Sequence, residues 1–506
     1  MQLIQSKHTF KASTLCTALL TTLALSGCGG GSGGSTPGQI TNSSPTVSGD
    51  NSVVVAENQV EVASYSATDP DGDSFTFSIS GADASLFNID ANGNLSFVEA
   101  PDYDAGETGP FAVNVLATDT GGLTGSLVVS VTVSDEVDPA THAVVQTIAA
   151  DFVSGSEVMF IDGQSMQVTG PYYVKTQTDY SIDTYGNSIY HIGSFFIDTI
   201  EKYSADSPDT QVWSYSTQDS GDSTSRNPYT IVSLSDEKAY LIRYGSDKVW
   251  IVNPSVAADD IENFKIGELD LSGYNLPGTV GGTPNPAAGI IVDGKLYISM
   301  QRFSDNFSEI GTGYVAVFDT ETDTEIETNA SDADTVMGIP LQGTNAARNG
   351  LVYNSGKVYV TTTKQFGSTD LTLSRIETIR TEDYAHNSIL DATSIEGNTG
   401  SSIKGTLVVS DEQGYFYTSE YDANFNELST LYQFNPSTGE ITGSDIGGNG
   451  TETISYATLD SANIIWMSIA NPANPGIDLI DTATNSKIGN RLATEFNPST
   501  IRFIGQ

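Results

Sequence analysis

Ser355-Gly356-Lys357-Val358-Tyr359-Val360-Thr361 is the stretch that decides the fold of most of this chain. A tight turn carrying glycine opens into a short run of β-branched and aromatic residues. Just before it, Gly350-Leu351-Val352 forms another such run, so the two read as a hairpin. The unit returns as Asp293-Gly294-Lys295-Leu296-Tyr297-Ile298-Ser299 and, more loosely, as Ser235-Asp236-Glu237-Lys238-Ala239-Tyr240-Leu241-Ile242. Recurrence of one supersecondary unit is the mark of a repeat architecture.

Working outward, seven short runs have the character of innermost strands: Ser181-Ile182-Asp183, Thr230-Ile231-Val232, Gly289-Ile290-Ile291-Val292, Gly350-Leu351-Val352, Gly405-Thr406-Leu407-Val408-Val409, Ser455-Tyr456-Ala457 and Thr500-Ile501-Arg502-Phe503. They are spaced by roughly 45 to 60 residues, the range of propeller blades. A third strand reads in Tyr314-Val315-Ala316-Val317-Phe318-Asp319-Thr320 and again in Gly476-Ile477-Asp478-Leu479-Ile480-Asp481-Thr482. This order of runs resembles the YVTN-type β-propeller family, with the best match at Val358 to Thr362. The resemblance implies an all-β propeller from about Thr141 to Gln506, with seven blades as the expected number. Asn497 to Gln506 holds one strand only, while Thr141 to Thr169 holds strands without an inner partner. The C-terminal strand is therefore expected to complete the blade begun at Ala143-Val144-Val145, closing the ring and removing an open edge.

Ahead of that region, Pro45 to Asp138 shows short alternating strands between Gly, Asp and Asn turns, the pattern of a small β-sandwich. The motifs Ala56-Glu57-Asn58, Asp69-Pro70-Asp71-Gly72-Asp73, Pro101-Asp102-Tyr103-Asp104 and Ala117-Thr118-Asp119 resemble those of bacterial cadherin-like domains. Carried over residue by residue, the resemblance implies calcium held at a domain end by Glu57, Asp69, Asp71, Asp102, Asp104, Asp119 and Asp135. Hard oxygen ligands from separate loops suit calcium, which takes six to eight of them. The exit linker Ser134-Asp135-Glu136-Val137-Asp138 is a weak version of the family's pattern, and an acidic turn between strands is the plainer reading of Asp69 to Asp73.

The N-terminus reads as an address. Lys7 and Lys11 precede an apolar stretch, Leu15 to Leu25, that is too short to span a bilayer. Leu25-Ser26-Gly27-Cys28 then resembles the lipobox of bacterial lipoproteins. That likeness implies a signal peptide over residues 1–27, acylation of Cys28 (a palmitate-type modification) and, with Gly29 rather than aspartate next, sorting to the cell outer membrane. Whether the chain would face the periplasm or the cell surface is left open. Residues 28–44 form a Gly/Ser-rich spacer that cannot build a core. With Cys16 in the removed segment, the mature chain has no cysteine left for a disulfide.

Charge narrows the function. The formal net charge is -43, and loss of Lys7 and Lys11 brings it to -45. Such a surface excludes general nucleic-acid binding and favours divalent cations. Between Lys11 and Lys175 there is no lysine or arginine, against sixteen Asp and Glu from Gly29 to Ala140. The histidines, His8, His142, His191 and His386, lack zinc spacing, and no nucleophile elbow, phosphate loop or dinucleotide fingerprint occurs.

The scarce basic residues carry the site reading. In a propeller, the loops leading into each inner strand and those leaving each second strand share one face. Arg226, Arg348 and Lys404 fall in the first group, and Arg243, Arg302 and Lys364 in the second. Tyr229, Tyr244, Asn349 and Tyr456 join them, along with Tyr180, Asn227, Asn285, Gln301 and Gln365. Forked guanidinium donors beside phenol rings suit a ligand with carboxylate, phosphate or amide groups. Equally, such residues cap strand ends and neutralise nearby carboxylates. Three functions stay open. The first is a membrane-anchored lipoprotein whose propeller binds a polar small molecule or partner protein, with delivery to an outer-membrane transporter. The second is calcium-dependent adhesion or envelope assembly, and the third a propeller enzyme such as a lyase or lactonase.

Overall fold

The computed structural model describes residues 42–505, apart from 58, 102, 104–106, 135–141, 164, 277–282, 305–309, 329–335, 366 and 424. Cys28 and the signal segment lie outside the described residues, as do Asp102, Asp104 and Asp135. The chain divides into two compact units, one ending at Glu136 and the other beginning at Val137. Both are built of strands, and their only helical pieces among the described residues are five single 3-10 turns. No helix among those residues is long and apolar enough to cross a membrane.

The N-terminal unit has a four-stranded sheet in the order Ser52–Ala56, Thr124–Ser134, Phe111–Asp119, Phe75–Ser80. The first of these runs parallel to the second, and the other pairings are antiparallel. Glu61–Ser64, Asn94–Phe97 and Phe87–Ile89 make a second sheet. Alternation explains the layering: Val113, Val115, Ala117 and Asp119 are buried along one strand while the residues between them are not. Val115 and Val131 share a core with Phe87, Leu95 and Phe97 of the second sheet.

The C-terminal unit is a β-propeller of seven sheets. The innermost strands are Tyr180–Tyr185 in blade 1, Pro228–Ser235 in blade 2, Pro286–Val292 in blade 3, Ala346–Asn354 in blade 4, Ser402–Val408 in blade 5, Ile454–Leu459 in blade 6 and Asn497–Phe503 in blade 7. All seven runs picked out above fall on these strands, with Val409 alone one residue beyond. Blade 7 closes as expected: Asn497–Phe503 pairs antiparallel with His142–Ile148, Ile501 opposite Val145 and Phe503 opposite Ala143.

Packing makes the ring. Each sheet buries both faces against its neighbours, so its central strands read as nearly unbroken apolar runs. Val145 lies in a core with Trp466 and Ile477 of blade 6, whereas adjacent Val144 lies in a core with Ile182 and Ile189 of blade 1. The second strands Lys238–Arg243, Lys295–Met300 and Lys357–Thr362 repeat the pattern, and Tyr240, Tyr297 and Tyr359 in them are fully buried. The hairpin turns of the last two have left-handed backbone at two successive positions, supplied by Asp293 (φ 50°) with Gly294 (φ 72°) and by Ser355 (φ 48°) with Gly356 (φ 76°).

Candidate functional site

The innermost strands surround a channel. At the end where loops lead into those strands lies a cavity of about 500 Å³ lined by Tyr180, Tyr229, Gln301, Arg348, Lys404 and Tyr456, among others. A second cavity of about 590 Å³ occupies the deeper part and shares Asn349 and Tyr456 with the first. Arg502 lies at this junction. Its Nε donates to Asp183 Oδ1 at 2.8 Å, Nη1 to the Tyr456 hydroxyl at 2.8 Å and Nη2 to Asn349 Oδ1 at 3.2 Å. One side chain from blade 7 thus ties blades 1, 4 and 6 across the channel. Burial works against its charge, but Tyr456 and Asp183 outweigh burial and raise its pKa.

The ten residues expected to bind ligand part company. Tyr229, Arg348, Asn349, Lys404 and Tyr456 line the mouth cavity. Arg226 is held by Asp219 at 2.8 Å and by Asp222. Arg243 is fully buried, with its guanidinium 4.2 Å from the centre of the Trp250 ring and Nη1 3.1 Å from Asp219 Oδ1. Arg302 turns outward, donating from Nε to the Tyr274 carbonyl at 2.7 Å and standing over Tyr314. Tyr244 is buried behind Tyr229, ring on ring at 4.5 Å, and donates to Gln301 Oε1 at 2.8 Å. Lys364 belongs to an adjacent recess with Glu420 and Glu427. For Arg226, Arg243 and Arg302, capping and neutralisation is the role observed. The physical reason is distance from the axis: a loop at the right end of a blade still aims its side chain outward when a carboxylate, carbonyl or ring waits there.

Arg348 is different. Its guanidinium stands 4.1 Å over the Tyr229 ring, and Nη2 donates to the Tyr229 carbonyl at 3.1 Å. Among the described residues it has no carboxylate in an ion pair, whereas Lys404, on the same wall, is held by Glu427 at 2.5 Å. Although the Arg348 side chain keeps an exposed face, desolvation by the surrounding blades pushes its pKa down and Arg502 adds to that, while Tyr229, Asp183 and Asp179 oppose. An anion beside it would remove that penalty. The residues missed in the sequence are Arg502 and Asp183. Each is the one charged residue of its innermost strand, and that misfit was the available signal.

The acidic residues assigned to calcium do not gather at one point. Asp69 Oδ1 accepts from the Asp71 and Asp73 amides, Asp71 Oδ2 accepts from the Ser43 amide, and Asp119 Oδ2 accepts from Asn42 at 3.1 Å. Glu57 belongs to the other end of the sheet: its amide bonds to the Ser134 carbonyl, and Oε2 accepts from the Tyr103 amide at 2.8 Å. The nine-residue strand Phe111–Asp119 separates the two sets. Among the described residues no three His, Cys, Asp or Glu side chains converge as a metal cluster. Asn42 Oδ1 and Asp69 Oδ2 are buried without a hydrogen-bond partner.

Fold and site together define an all-β protein whose C-terminal unit is a propeller with a polar, arginine-bearing channel mouth. No family model matches the sequence, and no curated protein is significantly similar to it. The chain also aligns at low identity with several solved structures. The periplasmic gluconolactonase PpgL of Pseudomonas aeruginosa is 12% identical over 72% of this chain and 98% of its own, with a TM-score of 0.48. Apo AztD from Citrobacter koseri is 12% identical over 72% and 98%, with a TM-score of 0.40. A Drosophila N-cadherin EC1-3 structure is 19% identical over 19% of this chain and 35% of its own, with a TM-score of 0.18.

Proposed function

We propose that this chain is a lipid-anchored binding protein of the cell outer membrane, whose propeller mouth captures a small anionic ligand for an outer-membrane transporter. Arg348 carries the reading. In a protein with 63 acidic and 20 basic residues, a guanidinium without a carboxylate partner is conspicuous, and this one faces a cavity of about 500 Å³. That volume accommodates a small organic ligand. The fork of Arg348 offers paired donors to a carboxylate or phosphate, and Tyr229 and Tyr456 line the same cavity with phenol groups.

Calorimetric titration of the mature chain with citrate and with inorganic phosphate as probes tests this. Hydrogen bonds to charged groups contribute about 1.5–3 kcal/mol, so Arg348→Ala is expected to weaken binding roughly 10- to 100-fold. Arg348→Lys keeps the charge but loses the fork, and should fall between. Among the described residues Arg348 makes no ion pair, so loss of its contacts with Tyr229 should lower the thermal midpoint only slightly. Equal binding by wild type and Arg348→Ala would overturn the proposal.

The same reading includes the tether and a metal. Acylated Cys28 anchors the chain in the bilayer, and the N-terminal unit is cadherin-like and binds calcium. Asp69, Asp71, Asp119 and Asn42 would hold the ion, since two of their oxygens are buried without partners and all are hard donors. Calcium there would stiffen the loops around Asp69 and Asp119.

A further inference from the structure

We infer that the ligand of the channel mouth is an amphipathic carboxylate, its charged end on Arg348 and its apolar part clamped by Phe195 and Phe196; this rests on the reading that Arg348 receives an anion. The second strand of blade 1, Ser188–Gly193, leaves toward the mouth through Ser194 to Asp198. In that loop Phe195 and Phe196 stand 58% and 71% exposed, their ring centres 4.8 Å apart and nearly perpendicular. Phe195 lines the same cavity as Arg348 and Tyr229.

The exposure is enforced. Phe195 has φ 33° and Phe196 φ 68°, left-handed backbone that bulky side chains rarely adopt. Such conformations persist only where the surroundings over-determine them, and they concentrate at functional sites. Here the surroundings come from blade 2. The Phe195 amide donates to Asn227 Oδ1 and the Phe196 amide to Ser225 Oγ, both at 2.9 Å. Asp198 Oδ1 accepts from the Arg226 and Asn227 amides at 2.8 Å each, and Ser194 Oγ donates to the Pro228 carbonyl at 2.6 Å. This assigns a use to the Arg226–Asn227 segment that its side-chain ion pairs alone did not suggest: it braces the aromatic loop.

The corresponding loop of blade 7 repeats the theme. Phe152, with φ 56°, is 65% exposed beside Val153 at 72%, and the Phe152 carbonyl accepts from Thr178, which lines the cavity. Apolar rim and cationic wall thus border one cavity. An anion with no apolar part would leave these phenylalanines in water, and an apolar molecule with no anion would leave Arg348 unpaired.

Calorimetric titration of the full mature chain with acetate, butanoate, hexanoate and 3-phenylpropanoate tests the inference. The expected result is affinity rising along the series, at least tenfold from acetate to 3-phenylpropanoate. In the double variant Phe195→Gly, Phe196→Gly the ratio should collapse toward one. Glycine accepts positive φ without strain, so that variant should keep its thermal midpoint. A flat series that Arg348→Ala still weakens overturns the inference and leaves the anion reading standing. A rising series that the double variant does not flatten also overturns it. Binding of none of the four overturns the inference, and the anion reading then stands or falls with citrate and phosphate.

Discussion

Glu201 shows how single residues hold this propeller. It sits in the third strand of blade 1, Thr199–Ser204, nearly buried, and receives Lys175 Nζ at 2.8 and 2.9 Å and the Tyr203 hydroxyl at 2.9 Å. His191 Nδ1 lies 3.4 Å away and His191 Nε2 is 3.1 Å from Gln146. Burial works to raise the Glu201 pKa, but bonds and charge from His191 and Lys175 outweigh it and hold it at about 2, against an ordinary 4.5. Burial pushes His191 below its ordinary 6.5. Both shifts mean that the unfolded chain binds more protons than the folded one. Stability therefore declines as pH falls below about 6.5 and further below about 4.5. A displacement like that of Glu201 is worth about 3 kcal/mol. Glu201→Gln should be less stable than wild type by about that much at neutral pH, with the gap closing as pH falls from about 4.5 toward 2. Urea unfolding across that range measures it, and a gap constant with pH would refute it. Such pairings were not legible beforehand. His191 and Glu201 face each other on consecutive antiparallel strands and Lys175 comes from the neighbouring blade, but nothing in Thr199-Ile200-Glu201-Lys202 marks the glutamate as an inward residue.

At the scale of the element, legibility followed burial. The second strands were readable because they are buried and largely apolar, and the innermost strands because they precede them across turns with a fixed chemistry. Outer strands such as Ser207–Ser216 and Ser486–Ala493 are half exposed, and they dissolve into the polar background of the sequence. The added pairings of Ile339–Pro340 with blade 3 and of Glu427–Leu428 with blade 5 had no periodic signal at two residues each. Closure was readable from arithmetic, one strand too few at one end and one too many at the other. Its energetic weight is testable. Ile501 is 1% exposed in the core with Trp466, so Ile501→Ala should cost about 2–5 kcal/mol. A chain ending at Ala493 should fare worse, since it bares the edge of His142–Ile148 and removes one layer between blades 6 and 1. Near-ultraviolet circular dichroism should then show loss of fixed tertiary packing. Retention of the wild-type spectrum and midpoint would show that the seventh sheet does not need its innermost strand.

For the whole molecule the decisive quantity is charge, -43 in all and unrelieved by any lysine or arginine between Lys11 and Lys175. The calcium motifs were legible as residues but not as sites. In an antiparallel sheet successive loops return to alternate ends, so the end a motif occupies depends on pairing that sequence order does not reveal. The loop Asp69 to Asp73 precedes Phe75–Ser80 and Asp119 ends its partner strand, with Phe75 opposite Asp119, so these meet. Ser52–Ala56 instead runs parallel to Thr124–Ser134, which carries Glu57 to the far end. A calcium effect should therefore depend on Asp69 and Asp119 together. Extracellular calcium modules bind with Kd of roughly 0.1–1 mM, and at that strength about 5 mM calcium would stabilise the unit by about 1–2 kcal/mol. For a unit of this size that raises its melting transition by about 5–15 °C. Scanning calorimetry of the full mature chain, in chelator and in calcium, should show one transition moving upward and the propeller's staying in place. Asp69→Asn with Asp119→Asn should abolish the movement, because carboxamides donate no charge to the ion and leave the loops to their existing hydrogen bonds. An unmoved transition in wild type, or an equal shift in the double variant, would remove calcium from that end and leave Asp69 to Asp73 as an acidic turn.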